Sequence, residues 1–360
     1  MKNKHKFPYN WTLKDANFTK DKGTVFSCFA CGGGSTMGYK LAGFDVLGCN
    51  EIDPKMMEVY KENHKPKYAF LESITTFKER KDLPKELYSL DILDGSPPCS
   101  SFSMAGNREK DWGKEKIFRE GQKKQVLDTL FFDFIDLAKE LQPKVVIAEN
   151  VKGLLIGSAK KYVVEIYKQF DKAGYYCQHF LLDASKMGVP QKRQRVFFIC
   201  LRKDLAQPFL VNNGLFDMIP KIEMVFNEKE IPFKEIECGN NAIPMYKTPP
   251  SYAVLYDKVK IGKNFSTAHK KGCLFSGYKA NPNSVLNTVL PNDKSRSGAF
   301  HYSQQRTLTK KEIIKATTFP LDYNSKISIS YMCGMSVPPV MTANVATNVF
   351  EQWLSKINKI

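Results

Sequence analysis

Apolar positions in this chain keep two alternating rhythms up to about residue 201 and lose both over residues 206–305. The runs "TVFSCFA", "FDVLGCNEI", "SLDILDG", "KVVIAENV" and "RVFFICL" are short and nearly continuous, the pattern of strands covered on both faces. Between them "TLFFDFIDLAKEL" and "YVVEIYKQFDKAG" carry apolar residues at helical spacing, the second stopping at Gly174. This alternation predicts an α/β domain over residues 23–205, a Rossmann-like, mostly parallel sheet with helices on both faces. Residues 1–22 are basic, with Phe7, Tyr9 and Trp11 interspersed and no period, and read as an N-terminal arm that docks on the body. Residues 206–305 are rich in Pro, Asn, Gly and Lys and read as a smaller irregular lobe. In the last segment, 306–360, Met341, Val345, Val349, Trp353 and Ile357 recur at steps of four behind Pro338 and Pro339. That face predicts a helix returning to the sheet, which makes the larger domain discontinuous.

Charge narrows the choice of partner. Among 360 residues, 54 Lys and Arg stand against 37 Asp and Glu, a formal charge of +17, which suits a polyanion such as nucleic acid or an anionic membrane. No apolar run approaches the length needed to cross a bilayer, and "MKNKHKFPYNWTLK" lacks the hydrophobic stretch of a secretion signal, so an intracellular protein is expected. Nine cysteines without framework spacing fit a reducing compartment. Cys28 and Cys31 form a lone Cys-x-x-Cys with no second pair, so no metal is expected.

Chemistry concentrates where strands end. "FACGGGSTMGYKLAGFDVLGCNEID" follows the first strand, and the next ends in Glu51, Ile52 and Asp53, the layout of a nucleotide-type cofactor site. Cys31 breaks the dinucleotide glycine spacing and no Walker motif is present, so an adenosine cofactor without a pyrophosphate, such as S-adenosylmethionine, fits. Glu51 is then expected on the ribose and Ile52 on the adenine. Cys99 and Glu149 fall just past the carboxyl ends of two further strands, the ligand-binding edge of an open parallel sheet. Pro97 and Pro98 stiffen the approach to Cys99, while the polar, basic stretch 100–121 beyond it reads as a lid. Arg193 and Arg195 in "GVPQKRQRVFFIC" could hold an anionic or carbonyl group in the same crevice.

The blocks "FACGGGSTMG", "PPCSSFS", "AENV", "QKRQR", "RTLTKKEIIKATTFP" and "GMSVPP" occur in the order of those of DNA (cytosine-5) methyltransferases of the prokaryotic and phage restriction-modification type, which the chain resembles from about residue 24 to its end. The resemblance implies a class I S-adenosylmethionine-dependent methyltransferase fold with a target recognition domain at 206–305. It implies methyl transfer from S-adenosylmethionine, released as S-adenosylhomocysteine, to C5 of a cytosine flipped out of duplex DNA, with no metal. Cys99 would add to C6, Glu149 would bond N3 and the exocyclic amine, and Arg195 together with Arg193 would hold the base and align the acid. Cofactor contacts would come from Phe29, Ala30, Gly33, Gly34, Glu51, Ile52, Glu72, Ser73, Pro98, Leu130 and Ser336. The implied partners are double-stranded DNA and, acting separately, a cognate restriction endonuclease; a cytoplasmic, nucleoid-associated monomer is expected, with no membrane. The lysine-rich run from Lys258 to Lys279, Lys270 and Lys271 included, would meet phosphates.

The sequence departs from the family where Asp-Leu-Phe-x-Gly-x-Gly-Gly is usual: Ser27, Cys28 and Cys31 replace the Asp, the Leu and the first Gly. The family's adenine-binding Asp falls near Glu72 and Ser73, and Met335 replaces the Asn of a Gly-Asn-Ser-Val block. Methylation of tRNA, as in one branch of the family, is a close alternative that an assay on duplex DNA against tRNA separates. A catalytically silent DNA-binding module predicts damage to the Cys or the Glu, and both are present. A nicotinamide dehydrogenase would need the missing glycine spacing.

Overall fold

A computed structural model describes residues 5–98, 115–116, 125–126, 129–157, 159–212, 218–239, 242–274, 276–291 and 298–359. By packing, these divide into two compact units. One comprises 18–182, 194–225 and 343–360, and the other 1–17, 183–193 and 226–342.

The first unit is built on a sheet. Its strands are β1 (Thr24–Cys28), β2 (Asp45–Glu51), β3 (Tyr68–Leu71), β4 (Ile92–Gly95), β7 (Val145–Val151), β8 (Tyr175–Asp183) and β9 (Gln194–Arg202), with a separate short pair, β5 (Glu115–Lys116) and β6 (Gln125–Val126), between β4 and β7 in the chain. The sheet order is β3-β2-β1-β4-β7-β9-β8. β3, β2, β1, β4 and β7 pair in parallel, and β9 runs antiparallel to β7. The connection from β1 leads to β2 on one side and the chain after β4 reaches β7 on the other, so β1 and β4 flank a switch point, where ligands bind in folds of this kind.

Helices α1 (Gly34–Leu41), α2 (Pro54–His64), α3 (Ile74–Phe77), α4 (Leu130–Leu141) and α5 (Ala159–Lys172) connect these strands. The central strands are buried on both faces, which is why they read as continuous apolar runs. Phe131, Phe134, Leu137 and Leu141 of α4 meet Phe26, Leu93, Val146 and Phe198 of the sheet in one apolar core. Gly48 is required by spacing, since a Cβ there would lie 2.0 Å from the Tyr68 carbonyl oxygen of β3. Asp53 caps α2, its Oδ1 accepting from Lys55 N at 2.8 Å and Met56 N at 3.2 Å, with Pro54 opening the helix.

The second unit has little regular structure. It contains α6 (Pro250–Ala253), α7 (Lys310–Ala316), α8 (Ile329–Met335) and the start of α9 (Pro339–Val349). Tyr252, Tyr256, Val259, Phe265 and Phe300 form a small aromatic core. The arm is divided: residues up to 17 belong to this unit, where Trp11 Nε1 donates to Thr318 O at 3.0 Å and Leu13 N and Lys14 N donate to the Asp322 carboxylate, and residues 18–22 belong to the sheet unit.

Packing divides the chain elsewhere than at residues 206 and 305. Residues 206–225 pack with the sheet unit, where Gln178 Nε2 and Trp353 Nε1 donate to the carbonyls of Pro220 and Lys221. Residues 306–342 pack with the irregular unit and 343–360 with the sheet. Met341, Val345, Val349, Trp353 and Ile357 are all buried, on α9 and the turns that continue it. Lys279 differs from the lysines before it: it is buried, with Nζ 4.0 Å from the Tyr256 ring centroid and bonded to that residue's carbonyl. It is therefore part of the interior rather than a phosphate contact, whereas Lys270 and Lys271 are exposed.

Candidate active site

The glycine-rich turn leaves β1 through a backbone that side chains seldom adopt. Phe29 has φ 53°, Cys31 φ 50° and Gly33 φ 84°. Only the last of the three is a glycine. Cys31 is held there by its own N–H, which donates to Glu51 Oε2 at 2.7 Å. Glu51 Oε1 accepts from Ile52 N at 2.9 Å and Asp53 N at 2.8 Å, so one carboxylate at the end of β2 organises the turn and the entry to α2. Burial holds the Glu51 carboxyl above its ordinary range in spite of these three donors. Gly33 caps α1 without a side chain, and Ala30 is buried beside it. Phe29 packs on Phe134 at 6.3 Å between ring centroids.

The other expected cofactor residues are more committed to the protein. Glu72 is paired with Arg80 at 3.0 Å, and Ser73 Oγ caps α3 by accepting from Thr76 N at 3.1 Å. Asp53, two residues beyond Glu51, is the cap of α2. Leu130 is core, whereas Ile52 and Pro98 are partly exposed. Ser336 lies in the irregular unit, at the end of α8.

Glu149 stands near the end of β7 and Arg195 near the start of β9, and the antiparallel register brings them together. Arg195 Nε meets Glu149 Oε1 at 2.8 Å, with both side chains largely buried. Asn150 donates from Nδ2 to the Pro97 carbonyl at 3.1 Å, tying the end of β7 to the segment that leads from β4 toward Cys99. Cys99 and most of the expected lid lie outside the described residues.

Arg193, expected with Arg195 to hold the base, has backbone partners in the structure. Its guanidinium is buried in the irregular unit and donates to three carbonyls, Val289 at 3.2 Å, Gly334 at 2.8 Å and Ser336 at 2.9 Å. A guanidinium fixed on backbone oxygens is a brace for the loops it joins, and Arg195 alone pairs with Glu149 among the described residues. Cys28 is buried and its thiol is pushed far up by burial and by Asp94. No group of three His, Cys, Asp or Glu suited to a metal occurs among the described residues.

A seven-stranded sheet in this order, with an acidic strand end beside a glycine-rich turn, defines a class I S-adenosylmethionine-dependent methyltransferase. The chain belongs to the C-5 cytosine-specific DNA methylase family, whose model matches residues 23–351. It is 27% identical over 338 residues to the Type II methyltransferase M1.HphI of Haemophilus parahaemolyticus, a match that covers 91% of this chain and 87% of that protein. Matches to M.FnuDI of Fusobacterium nucleatum and M.NgoPII of Neisseria gonorrhoeae, at 36% and 34% identity, span only 47% and 58% of those relatives and 50% and 61% of this chain. A prophage-encoded DNA modification methyltransferase of E. coli shares the fold with a TM-score of 0.61 at 19% identity, over 91% of this chain and 99% of that one. The Dnmt2 methyltransferase of S. pombe does so at 0.58 and 13%, over 91% and 98%. No described helix is long and apolar enough to cross a membrane.

Proposed function

We propose that the chain methylates C5 of a cytosine within a specific sequence of duplex DNA, with Cys99 as nucleophile and Glu149 as the group that holds the base. The ion pair of Glu149 with Arg195 carries this reading. Arg195 occupies one carboxylate oxygen and fixes its orientation, which leaves the other to accept from the exocyclic amine of an extruded cytosine, beside N3.

The residues present fit S-adenosylmethionine. Three of the roughly four acceptor sites of the buried Glu51 carboxylate are filled by N–H groups, and one remains for a ribose hydroxyl beside the glycine-rich turn. When bound there, S-adenosylmethionine supplies a methyl group on a sulfonium and leaves as S-adenosylhomocysteine. The Cys99 thiolate adds at C6, and the displaced ring electrons make C5 nucleophilic while Glu149 stabilises the charge reaching N3. After methylation the C5 proton leaves, the C5–C6 double bond re-forms, and the thiolate is expelled. A DNA substrate supports a cytoplasmic, nucleoid-associated location. A monomer suffices for the reaction, and a cognate restriction endonuclease would act separately on the same sequence.

Cys99→Ser tests the assignment. The variant should lose all turnover on duplex DNA, and the parent chain should form a denaturation-resistant adduct with DNA containing 5-fluorocytosine, whose fluorine cannot leave as the proton does. Normal methylation by the variant would exclude Cys99, and activity on tRNA in place of DNA would move the substrate.

A further inference from the structure

Ser27 and Asp94 are register partners across β1 and β4. Asp94 Oδ2 accepts from Ser27 Oγ at 2.7 Å, and Oδ1 accepts from the Tyr39 hydroxyl at 3.0 Å. All three residues are at most 3% exposed. Each belongs to a different element: Ser27 to the strand that runs into the glycine-rich turn, Tyr39 to α1, which leaves that turn, and Asp94 to the strand that continues through Pro97 and Pro98 to Cys99. The carboxylate has two hydroxyls as partners and no cation among the described residues, a poor way to gain stability, because an apolar side chain would avoid the desolvation. The family's Asp at the Ser27 position is replaced by a hydroxyl, and a carboxylate faces it from the neighbouring strand.

We infer that Asp94 is a positioning residue for methyl transfer, its buried carboxylate locking the cofactor turn, through Ser27 and Tyr39, to the strand that delivers Cys99. This rests on the roles given above to the turn and to Cys99. Among the described residues, four groups face the carboxylate: the Ser27 hydroxyl and Cys28 thiol from β1, the Tyr39 hydroxyl from α1 and Glu149 from β7. Burial pushes the Asp94 carboxyl up to about 7, the two hydroxyl bonds oppose this, and the charge of Glu149 adds to it. The lock therefore gains its charge as the pH rises through about 7.

The test uses the full chain as Asp94→Asn and as the exchanged pair Ser27→Asp/Asp94→Ser, which returns the acid to β1. S-adenosylmethionine affinity is read by calorimetry in a Cys99→Ser background, so that binding is separated from chemistry; kcat, both KM values and the melting temperature are read with Cys99 present. Asp94→Asn should weaken S-adenosylmethionine binding and lower kcat, each by about tenfold, the scale of a weakened charged hydrogen bond, with KM for DNA unchanged. Its kcat should lose an ionisation near pH 7 that the parent shows. The exchanged pair should recover most of the affinity. Parental affinity, kcat and pH profile in Asp94→Asn would overturn the inference, as would failure of a normally melting exchanged pair to recover. A fault in the Cys99 assignment shows separately, as turnover by Cys99→Ser alone.

Discussion

A carboxylate offers about four lone-pair sites, and at Glu51 three of them receive N–H groups from Cys31, Ile52 and Asp53. The same side chain shapes the cofactor turn and presents an acceptor to whatever lies over it. This explains how Cys31 stands at φ 50° where the family has glycine: the bond from its N–H to Glu51 helps offset the strain of a left-handed residue, roughly 1 to 2 kcal/mol. Glu51→Gln puts an amide nitrogen, which cannot accept, where one oxygen stood. It should therefore weaken S-adenosylmethionine binding by about 1.5 to 3 kcal/mol in calorimetry and also lower the melting temperature. A variant that loses affinity while melting as the parent does would confine the role of Glu51 to the ligand.

At the scale of elements, α7 shows how a buried charge is held. Thr309 and Glu312 form a reciprocal cap, each side chain accepting from the other's backbone N–H, and Arg306 meets both carboxylate oxygens of Glu312 at 2.9 and 2.8 Å. Cys238 N adds a further donor at 2.9 Å. Burial alone would raise the Glu312 carboxyl, but Arg306 and the two backbone N–H groups hold it below its ordinary range. Its stabilising effect is thus present above the ordinary Glu value and lost as the pH falls below it. Glu312→Ala leaves Arg306 buried and unpaired, and should cost about 3 to 5 kcal/mol in urea unfolding at neutral pH, with the gap to the parent closing in acid. The family block around α7 was readable in the sequence, as were β1, β2, β4, β7 and β9, because strands buried on both faces leave unbroken apolar runs. β3 was missed because "YAFL" is only four residues long, and β8 because "YYCQHFLLD" mixes polar and apolar positions without a clean period. Glu149 and Arg195 were legible from strand ends. Arg193 was not, because its partners are backbone carbonyls far along the chain, which no local pattern encodes.

For the whole molecule, the division into units governs how target recognition can be moved. A cut at residue 305 severs pairs that hold the irregular unit together: Met245 N donates to Leu308 O, Thr307 Oγ1 bonds both the N–H and the carbonyl of Tyr246, and Cys238 N donates to Glu312. A cut at 206 removes the carbonyls of Pro220 and Lys221 from Gln178 and Trp353 in the sheet unit. Residues 226–337 avoid both faults and end before Pro338, so that α9 stays whole. Exchanging 226–337 with those of a relative of different specificity should transfer the target sequence, read by bisulfite sequencing, and keep a melting temperature near the parent's. Exchanging 206–305 should give a chain that melts markedly lower. Replacing the exposed Lys270 and Lys271 by Gln should leave the target sequence unchanged and weaken binding to all duplexes alike, lowering the dependence of log affinity on log salt by up to about 1.8 if both meet phosphates. A stable, active 226–337 chimera that still methylates the parental sequence would place base reading outside that segment, in the arm, in 183–193 or in the sheet unit, and loss of specificity in the lysine variant would assign those side chains to bases instead of phosphates.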